Sequence, residues 1–126
     1  MTTQSAKPAI SIDFKKSRIR IHKSTLHAIG DPEYILLLIN PEERSIAIQR
    51  SSRSDLRAYH IIPAFLKGMK SCELSSLILI EGLFQIYDGW QNNQTYRIYG
   101  EAIHNEGIVK FHIDKAIPVN GIRVAP

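Results

Sequence analysis

Residues 17–49 contain the pattern that most constrains the fold: a basic strand, a short helix and a hairpin in close succession. Residues 18–22 alternate basic and apolar side chains, which is typical of a half-buried strand. Residues 23–29 then favour a short helix, because Gly30 stands where a left-handed residue ends a helix. This part of the chain therefore predicts a strand that leads directly into a helix.

A hairpin over residues 34–49 is predicted from an apolar strand and the turn residues that follow it. Residues 34–39 are a continuous apolar run of strand length, which favours a strand covered on both faces. Residues 40–43 read Asn-Pro-Glu-Glu, with proline at the second turn position. Ile46 and Ile48 alternate with less apolar residues on the returning strand.

The numbering of the apolar residues indicates a separate strand before residue 15. Ile10 and Ile12 are even-numbered apolar positions, whereas Ile19 and Ile21 are odd-numbered. Because a strand in register cannot move its apolar side chains to the other face, residues 15–17 must form a bulge or a tight turn.

The second half of the chain predicts a helix and another hairpin. Ser71 is placed to cap a helix that runs to about Tyr87. Residues 95–104 and 108–113 then predict two paired strands, and Gly107 suits a left-handed position in their connection.

These elements predict the α+β class, with an antiparallel curved sheet of two hairpins plus flanking strands and two helices on one face. The chain has 126 residues, near the usual size of one domain. We expect residues 1–8 to be a disordered arm, residues 9–117 to be a single domain, and residues 118–126 to be a tail or a short edge strand.

Composition restricts the classes of function. Cys72 is the single cysteine, which fits a reducing compartment and excludes cysteine-rich zinc sites. The chain has no apolar run long enough to cross a membrane and no basic-then-apolar opening segment, so we expect a cytoplasmic protein with no membrane partner.

The sequence contains no recognised catalytic motif. The five histidines are His22, His27, His60, His104 and His112. None was identified at helical i, i+4 spacing with a partner acid, and surface positions are the favoured interpretation. Cys72 would begin the second helix, where the helix dipole lowers a thiol pKa, but no base is evident, so a structural cysteine is favoured. With no nucleotide-binding or nucleophile motif, we predict a non-enzymatic protein with no metal and no cofactor.

The basic residues carry the main functional hypothesis. The formal net charge is +4, and the excess lies mainly in the first half of the chain. We predict that one exposed face binds the phosphate backbone of double-stranded DNA through Lys15, Lys16, Arg18, Arg20, Lys23, Arg50, Arg53 and Arg57. The open alternative is an ordinary solvated surface.

Aromatic residues in the second half suggest a protein interface. The candidates are Tyr87, Trp90, Tyr96 and Tyr99, since aromatic side chains are enriched at interface centres. The alternative is that they complete the core. A homo-oligomer, with a dimer favoured, would fit the first interpretation.

Two families offer a resemblance. Residues 18–23, with Leu26, Gly30 and the hairpin through Ile46 and Ile48, resemble one half of an AbrB/SpoVT-type swapped-hairpin DNA-binding fold. The element order strand-helix-hairpin-strand over residues 18–62, followed by helix-hairpin over residues 71–113, is similar to the duplicated repeat of a sliding-clamp domain.

Both resemblances imply association with DNA and burial of surface between paired copies. Residues 44–52 with Asp55-Leu56 read like the strand and following loop of a clamp repeat. The whole chain also looks like small uncharacterised proteins of bacterial mobile elements, which implies a cytoplasmic location. The function predicted is a DNA-associated accessory or regulatory protein, and the alternative is a protein-interaction or assembly module with no nucleic-acid role.

Overall fold

The computed structural model describes residues 7–61, 68 and 71–119. Its strands are β1 (Ala9–Asp13), β2 (Arg18–His22), β3 (Tyr34–Asn40), β4 (Ser45–Ser51), β5 (Tyr59–His60), β6 (Ser71–Ser75), β7 (Thr95–Ile103), β8 (Ile108–His112) and β9 (Ile117–Val119). The α-helices described over their full length are α1 (Lys23–Ala28) and α2 (Leu77–Gln85). Of the predicted arm and tail, residues 1–6 and 120–126 lie outside the described residues.

The strands form one antiparallel sheet that curls into a half-barrel. Their order is β5-β3-β4-β8-β7-β1-β2-β6, and β9 pairs with β7. The long strand β7 joins the two halves of the sheet, because its first part pairs with β1 and its second part pairs with β8. This architecture, with its two helices, agrees with the predicted α+β class.

A tight turn, one of the two predicted alternatives, accounts for the change of parity between β1 and β2. Ile10 lies opposite Ile21 and Ile12 lies opposite Ile19, so all four side chains enter the core together. Ser17 adopts a left-handed φ of 51° at the end of the turn. The turn therefore brings two strands of opposite parity onto one core face.

The α1 helix and the hairpin after it are confirmed. Gly30 has a φ of 86°, and the Asp31 N–H donates to the Leu26 carbonyl over 2.8 Å, which closes the C-terminal end of α1. The prediction that the next strand is covered on both faces is wrong at its far end, because Leu38 is 37% exposed. Ile35 and Leu36 are 0% and 8% exposed, so both faces of β3 are covered near its beginning.

The predicted start of the second helix is wrong. Residues 71–75 form strand β6, which pairs antiparallel with β2. The helix begins five residues later than predicted, where Ser76 accepts a hydrogen bond from the Leu79 N–H over 3.2 Å. Ser76 caps the apolar run directly, whereas the backbone of residues 71–75 is satisfied by the edge of β2.

The core lies on one face of the sheet and is rich in isoleucine. The hairpin of β7 and β8 is confirmed, with Gly107 at a φ of 65°. Near α2 the core becomes aromatic: Trp90 packs against Phe14 and Tyr96, and its Nε1–H donates to the Leu83 carbonyl over 2.8 Å. In the described part of the chain, no helix is long and apolar enough to cross a membrane.

Candidate nucleic-acid interface

A group of basic side chains lies on the outer face of the sheet, opposite the core. Arg18, Arg20 and His22 alternate with the buried Ile19 and Ile21 along β2 and therefore share this face. Ser11 of β1 lies opposite Arg20 on one side and opposite Arg97 of β7 on the other. Cross-strand partners share a face, so Arg97 belongs to the same group. We call Arg18, Arg20, His22 and Arg97 the outer-face patch.

Glu73 of β6 holds two members of the outer-face patch. Its carboxylate receives Arg18 Nη1 and Arg20 Nη2, each over 3.0 Å. Arg18 Nε also lies 3.5 Å from Asp13 Oδ2. The Glu73 side chain is 43% exposed, and ion pairs at such exposure contribute about 0–1 kcal/mol, so this carboxylate orders the guanidinium groups without holding them strongly.

Arg97 is the member of the patch that sequence reasoning missed. Its Nε atom, like that of Arg18, is buried, and no atom of the described residues accepts a hydrogen bond from either. An unsatisfied buried donor costs about 1–3 kcal/mol, and more when the group is charged. Arg97 is the only lysine or arginine among residues 71–109, and the register of β1 with β2 and β7 brings it beside Arg20.

The positive charge of the outer-face patch affects the pKa of His22. Burial lowers the pKa of its imidazole, and the charges of Arg97 and Arg20 lower that pKa further. His22 Nε2 lies 2.8 Å from the Ser11 hydroxyl, which keeps the neutral ring hydrogen-bonded. The pKa of His22 is therefore sensitive to whatever neutralises the two arginines.

The second predicted basic group lies elsewhere. Arg50 shares one side of β4 with Ile46 and Ile48 but is exposed, and three strands separate β4 from β2 in the sheet. Its Nη1 donates to the Ile29 carbonyl over 3.0 Å. A Cβ built on Gly107 would lie 2.6 Å from Arg50 Cγ, so this side chain fills a structural position. Arg50 is therefore separated from Arg18 and Arg20 by three strands and points to the side of β4 that carries Ile46 and Ile48, so it does not share their face.

The remaining loop arginines do not extend the outer-face patch. Arg57 pairs with Asp55, with its Nε 3.2 Å from Asp55 Oδ1. The hydrogen bonds from Arg57 lower the pKa of Asp55, and the same contact raises the pKa of Arg57. Arg53 is exposed in the same loop.

The predicted lysines lie at the ends of the strands beside the patch. Lys15 and Lys16 are exposed at the β1–β2 turn, where their backbone N–H groups donate to Asp13 Oδ1 over 2.9 and 3.0 Å. Lys23 begins α1 and is half-buried. Lys15 and Lys16 are therefore free to reach a ligand that covers the turn.

The predicted aromatic interface is mostly core. Trp90 and Tyr96 are each 5% exposed, and Tyr87 is half-buried with its ring 5.2 Å from that of Trp90. Tyr99, at 43% exposure, is the member that faces solvent. The prediction of a four-residue aromatic surface is wrong because the β7 register turns Tyr96 inward while Tyr99 points outward.

Two chemical expectations are also corrected. Cys72 lies in β6 and not at a helix start, and burial together with the Glu73 charge raises the pKa of its thiol. His27 does have an acid partner at i, i+4, since its Nδ1 lies 2.7 Å from Asp31 Oδ1. Within residues 7–61 and 71–119, no cluster of three or more histidine, cysteine or acidic side chains has the geometry to hold a metal.

Comparison of this chain with family models, with curated proteins and with solved structures finds no match. The functional assignment therefore depends on the geometry of the outer-face patch.

Proposed function

We propose that this protein is a non-enzymatic, DNA-associated accessory or regulatory protein that binds the phosphate backbone through its outer-face patch. The observation that supports this most is the meeting of three guanidinium groups, those of Arg18, Arg20 and Arg97, on one face of the sheet, where the Arg97 Nε has no acceptor among the described residues. A phosphate oxygen is a suitable acceptor, because guanidinium groups bind phosphates through paired, charge-assisted hydrogen bonds.

The charge of the surrounding surface also favours an anionic ligand. Three guanidinium groups on the outer face are opposed by the carboxylates of Asp13 and Glu73, which leaves an excess of one positive charge. Lys15 and Lys16 at the adjoining turn add two more. Contacts of this kind position a protein on a duplex without reading its sequence.

The order of elements supports a pseudo-duplicated fold of the clamp-like kind. The first half runs β2-α1-β3-β4-β5, and the second half repeats this order as β6-α2-β7-β8-β9. Equivalent strands also meet, since β2 pairs with β6 and β4 pairs with β8. The proposal places the DNA ligand on the sheet and not on α2, which contains no lysine or arginine.

The test is to measure the affinity for a DNA duplex by fluorescence anisotropy over a range of salt concentrations. With about four phosphates contacted, raising salt from about 50 to about 200 mM should weaken binding roughly a hundredfold. Arg97→Gln should weaken binding and reduce the salt slope by about one.

Arg53→Gln is the matched control, because it removes the same charge from an exposed loop on the other half of the sheet. It should leave the salt slope unchanged. Binding that is undetectable at low salt, or equal losses in Arg97→Gln and Arg53→Gln, would contradict the proposal.

A second candidate function is self-association through α2. Leu77 and Ile78 on this helix are 61% and 84% exposed, and Phe84 is 37% exposed. A second copy would cover this apolar stripe with its own, as in a two-fold dimer. Ile78→Lys should then convert a dimer to a monomer in light scattering, whereas Leu56→Lys, at a leucine 98% exposed in the 52–58 loop, should not. A wild-type monomer at high concentration would exclude this candidate.

A further inference from the structure

His22 differs from the three arginines of the outer-face patch, because the charge of an imidazole can change near neutral pH. It lies on β2 two residues after Arg20, on the same face of the sheet. Its imidazole reaches towards the neighbouring strand, where Nε2 lies 2.8 Å from the Ser11 hydroxyl. The patch therefore contains one group that can add a positive charge or withdraw it.

The register of the sheet shows which way this imidazole leans. Ser11 lies directly opposite Arg20 on one side and opposite Arg97 on the other. Residues two positions apart on a strand are separated by about 7 Å, so His22 reaches Ser11 along a diagonal. Its ring is therefore directed towards the row in which Arg20 and Arg97 flank Ser11.

The hydrogen bond between His22 and Ser11 is compatible with both protonation states of the imidazole. A serine hydroxyl donates to an unprotonated Nε2 and accepts from a protonated one. Rotation of the hydroxyl is enough to exchange the two roles, although Ser11 itself is buried. Proton uptake can therefore change the charge of the patch without moving the strands.

The surroundings of His22 oppose its protonation in the free protein. Burial lowers the pKa of the imidazole, and the positive charges of Arg97 and Arg20 lower that pKa further. The two arginines act on His22 because all three side chains share the outer face. An anion that neutralised the arginines would remove part of this opposition.

The described elements around His22 do not supply such an anion. The carboxylates on the strands β1, β6 and β7 are Asp13, Glu73 and Glu101. Apart from Arg97, the other titratable side chains on these strands and on α1 are Lys23, His27, Cys72, Tyr96 and Tyr99. Asp13 and Glu73 each contact an arginine of the patch. Glu101 lies four residues after Arg97, or about 13 Å along β7, which exceeds the Debye length of about 8 Å.

We propose that the outer-face patch binds the DNA backbone together with a proton, which His22 takes up. This coupling rests on the proposed function and adds the regulation of the same site by pH. A phosphate held by Arg20 and Arg97 places a negative charge beside the imidazole and favours its charged form. Because coupling between two bound species is reciprocal, protonation of His22 strengthens phosphate binding by the same factor.

One proton is a large change for a surface with so small an excess of charge. Three guanidinium groups and two carboxylates leave an excess of one positive charge on the outer face, and a protonated His22 doubles it. Duplex affinity should therefore rise as the pH falls and reach a plateau below the pKa of His22 in the free protein, which lies under 6.5. If bound DNA raises that pKa by about one unit, the gain in affinity is about tenfold.

The first test uses the full wild-type chain and one DNA duplex at constant ionic strength. Fluorescence anisotropy should show binding about tenfold tighter near pH 5 than near pH 8. In an NMR titration, the His22 imidazole should have a pKa about one unit higher with the duplex bound than without it. Calorimetry in two buffers of different ionisation enthalpy should show net proton uptake on binding near pH 6.

Two variants fix the charge at this position. His22→Gln is neutral at every pH and should bind the duplex near pH 5 no more tightly than near pH 8. His22→Lys carries a positive charge throughout and should bind with similar affinity at both values. The matched control is His104→Gln, at an exposed histidine in the connection between β7 and β8, and it should keep the full pH dependence.

Three results would overturn this coupling while leaving phosphate binding by Arg97 intact. They are a wild-type duplex affinity that does not change with pH, an equal pH dependence in wild type and His22→Gln, and a His22 pKa that is the same with and without DNA. Failure of the wild-type chain to bind the duplex at any pH would contradict the proposed function as well. Because the affinity profile and the imidazole titration use the wild-type chain, a folding defect in a variant would not prevent the test.

Discussion

The two groups of arginines in this protein differ in what their guanidinium groups contact. Arg50 bonds a backbone carbonyl of the α1 segment, and Arg57 is paired with its near neighbour Asp55. On the outer face, Arg18 and Arg20 share one carboxylate across strands, and the Nε of Arg97 has no acceptor among the described residues. The first group is used within the fold, whereas the second leaves hydrogen-bonding capacity for a ligand.

This difference shows that closeness in sequence does not define a binding surface. Arg50, Arg53 and Arg57 are close in sequence, yet they lie away from the outer face. Arg97 and Arg20 are distant in sequence and meet through the pairing of β1 with β2 and β7. Register, and not local charge density, decides which charges act together.

The largest expected effect is on stability, at Arg50. Arg50→Ala removes the hydrogen bond to the Ile29 carbonyl and the packing against Gly107, so the free energy of unfolding should fall by about 2 kcal/mol. Urea unfolding measures this change. DNA affinity measured where the variant is folded should stay the same, and a large loss of affinity would break the distinction between the two groups.

The next effect is a gain of affinity at Glu73. Glu73→Gln removes the carboxylate that pairs with Arg18 and Arg20, so both guanidinium groups become available to phosphate. We expect duplex affinity to rise roughly fivefold, or about 1 kcal/mol, with a stability loss within the range of exposed ion pairs. Asp55→Asn, which frees Arg57 instead, is the control and should not raise affinity. An equal gain of duplex affinity in Glu73→Gln and Asp55→Asn would show that the two groups of arginines do not differ in DNA binding.

A smaller effect is the pH dependence contributed by His22. Its pKa in the folded protein is lowered from 6.5, so below pH 6.5 the unfolded chain takes up a proton more readily than the folded one. Stability from this group is therefore present above pH 6.5 and declines as the pH falls through that value. His22→Gln should flatten this part of the stability profile.

The same histidine distinguishes the two arginine groups. Arg97→Gln should raise the pKa of His22, because a positive charge that lowers it is removed. Arg53→Gln should leave that pKa unchanged. Both are measured by NMR titration of the imidazole, and a His22 pKa that does not respond to Arg97→Gln would place Arg97 outside the patch.

The smallest effect is expected at Arg57. Its pair with Asp55 is local and exposed, so Arg57→Gln should leave both the free energy of unfolding and duplex binding nearly unchanged. Thermal unfolding measures the change in stability. A loss of duplex binding in Arg57→Gln would show that the 52–58 loop is part of the DNA interface.

Local signals in the sequence predicted the local structure. Proline in the turn after β3 and glycine at positions 30 and 107 fixed backbone geometry within a few residues, and the elements around them are confirmed. The strand at residues 71–75 could not be predicted, because its backbone is satisfied by β2, some fifty residues earlier in the chain. Arg97 was missed for the same reason, since its neighbours come from other strands.

The most direct measurement is the ¹⁵N NMR signal of the Arg97 Nε–H during titration with duplex DNA. If phosphate is the missing acceptor, this proton should shift on binding and exchange more slowly with solvent, while the Nε–H of Arg53 stays unchanged. An Arg97 Nε–H that is unaffected at saturating DNA would show that the outer-face patch does not bind the phosphate backbone.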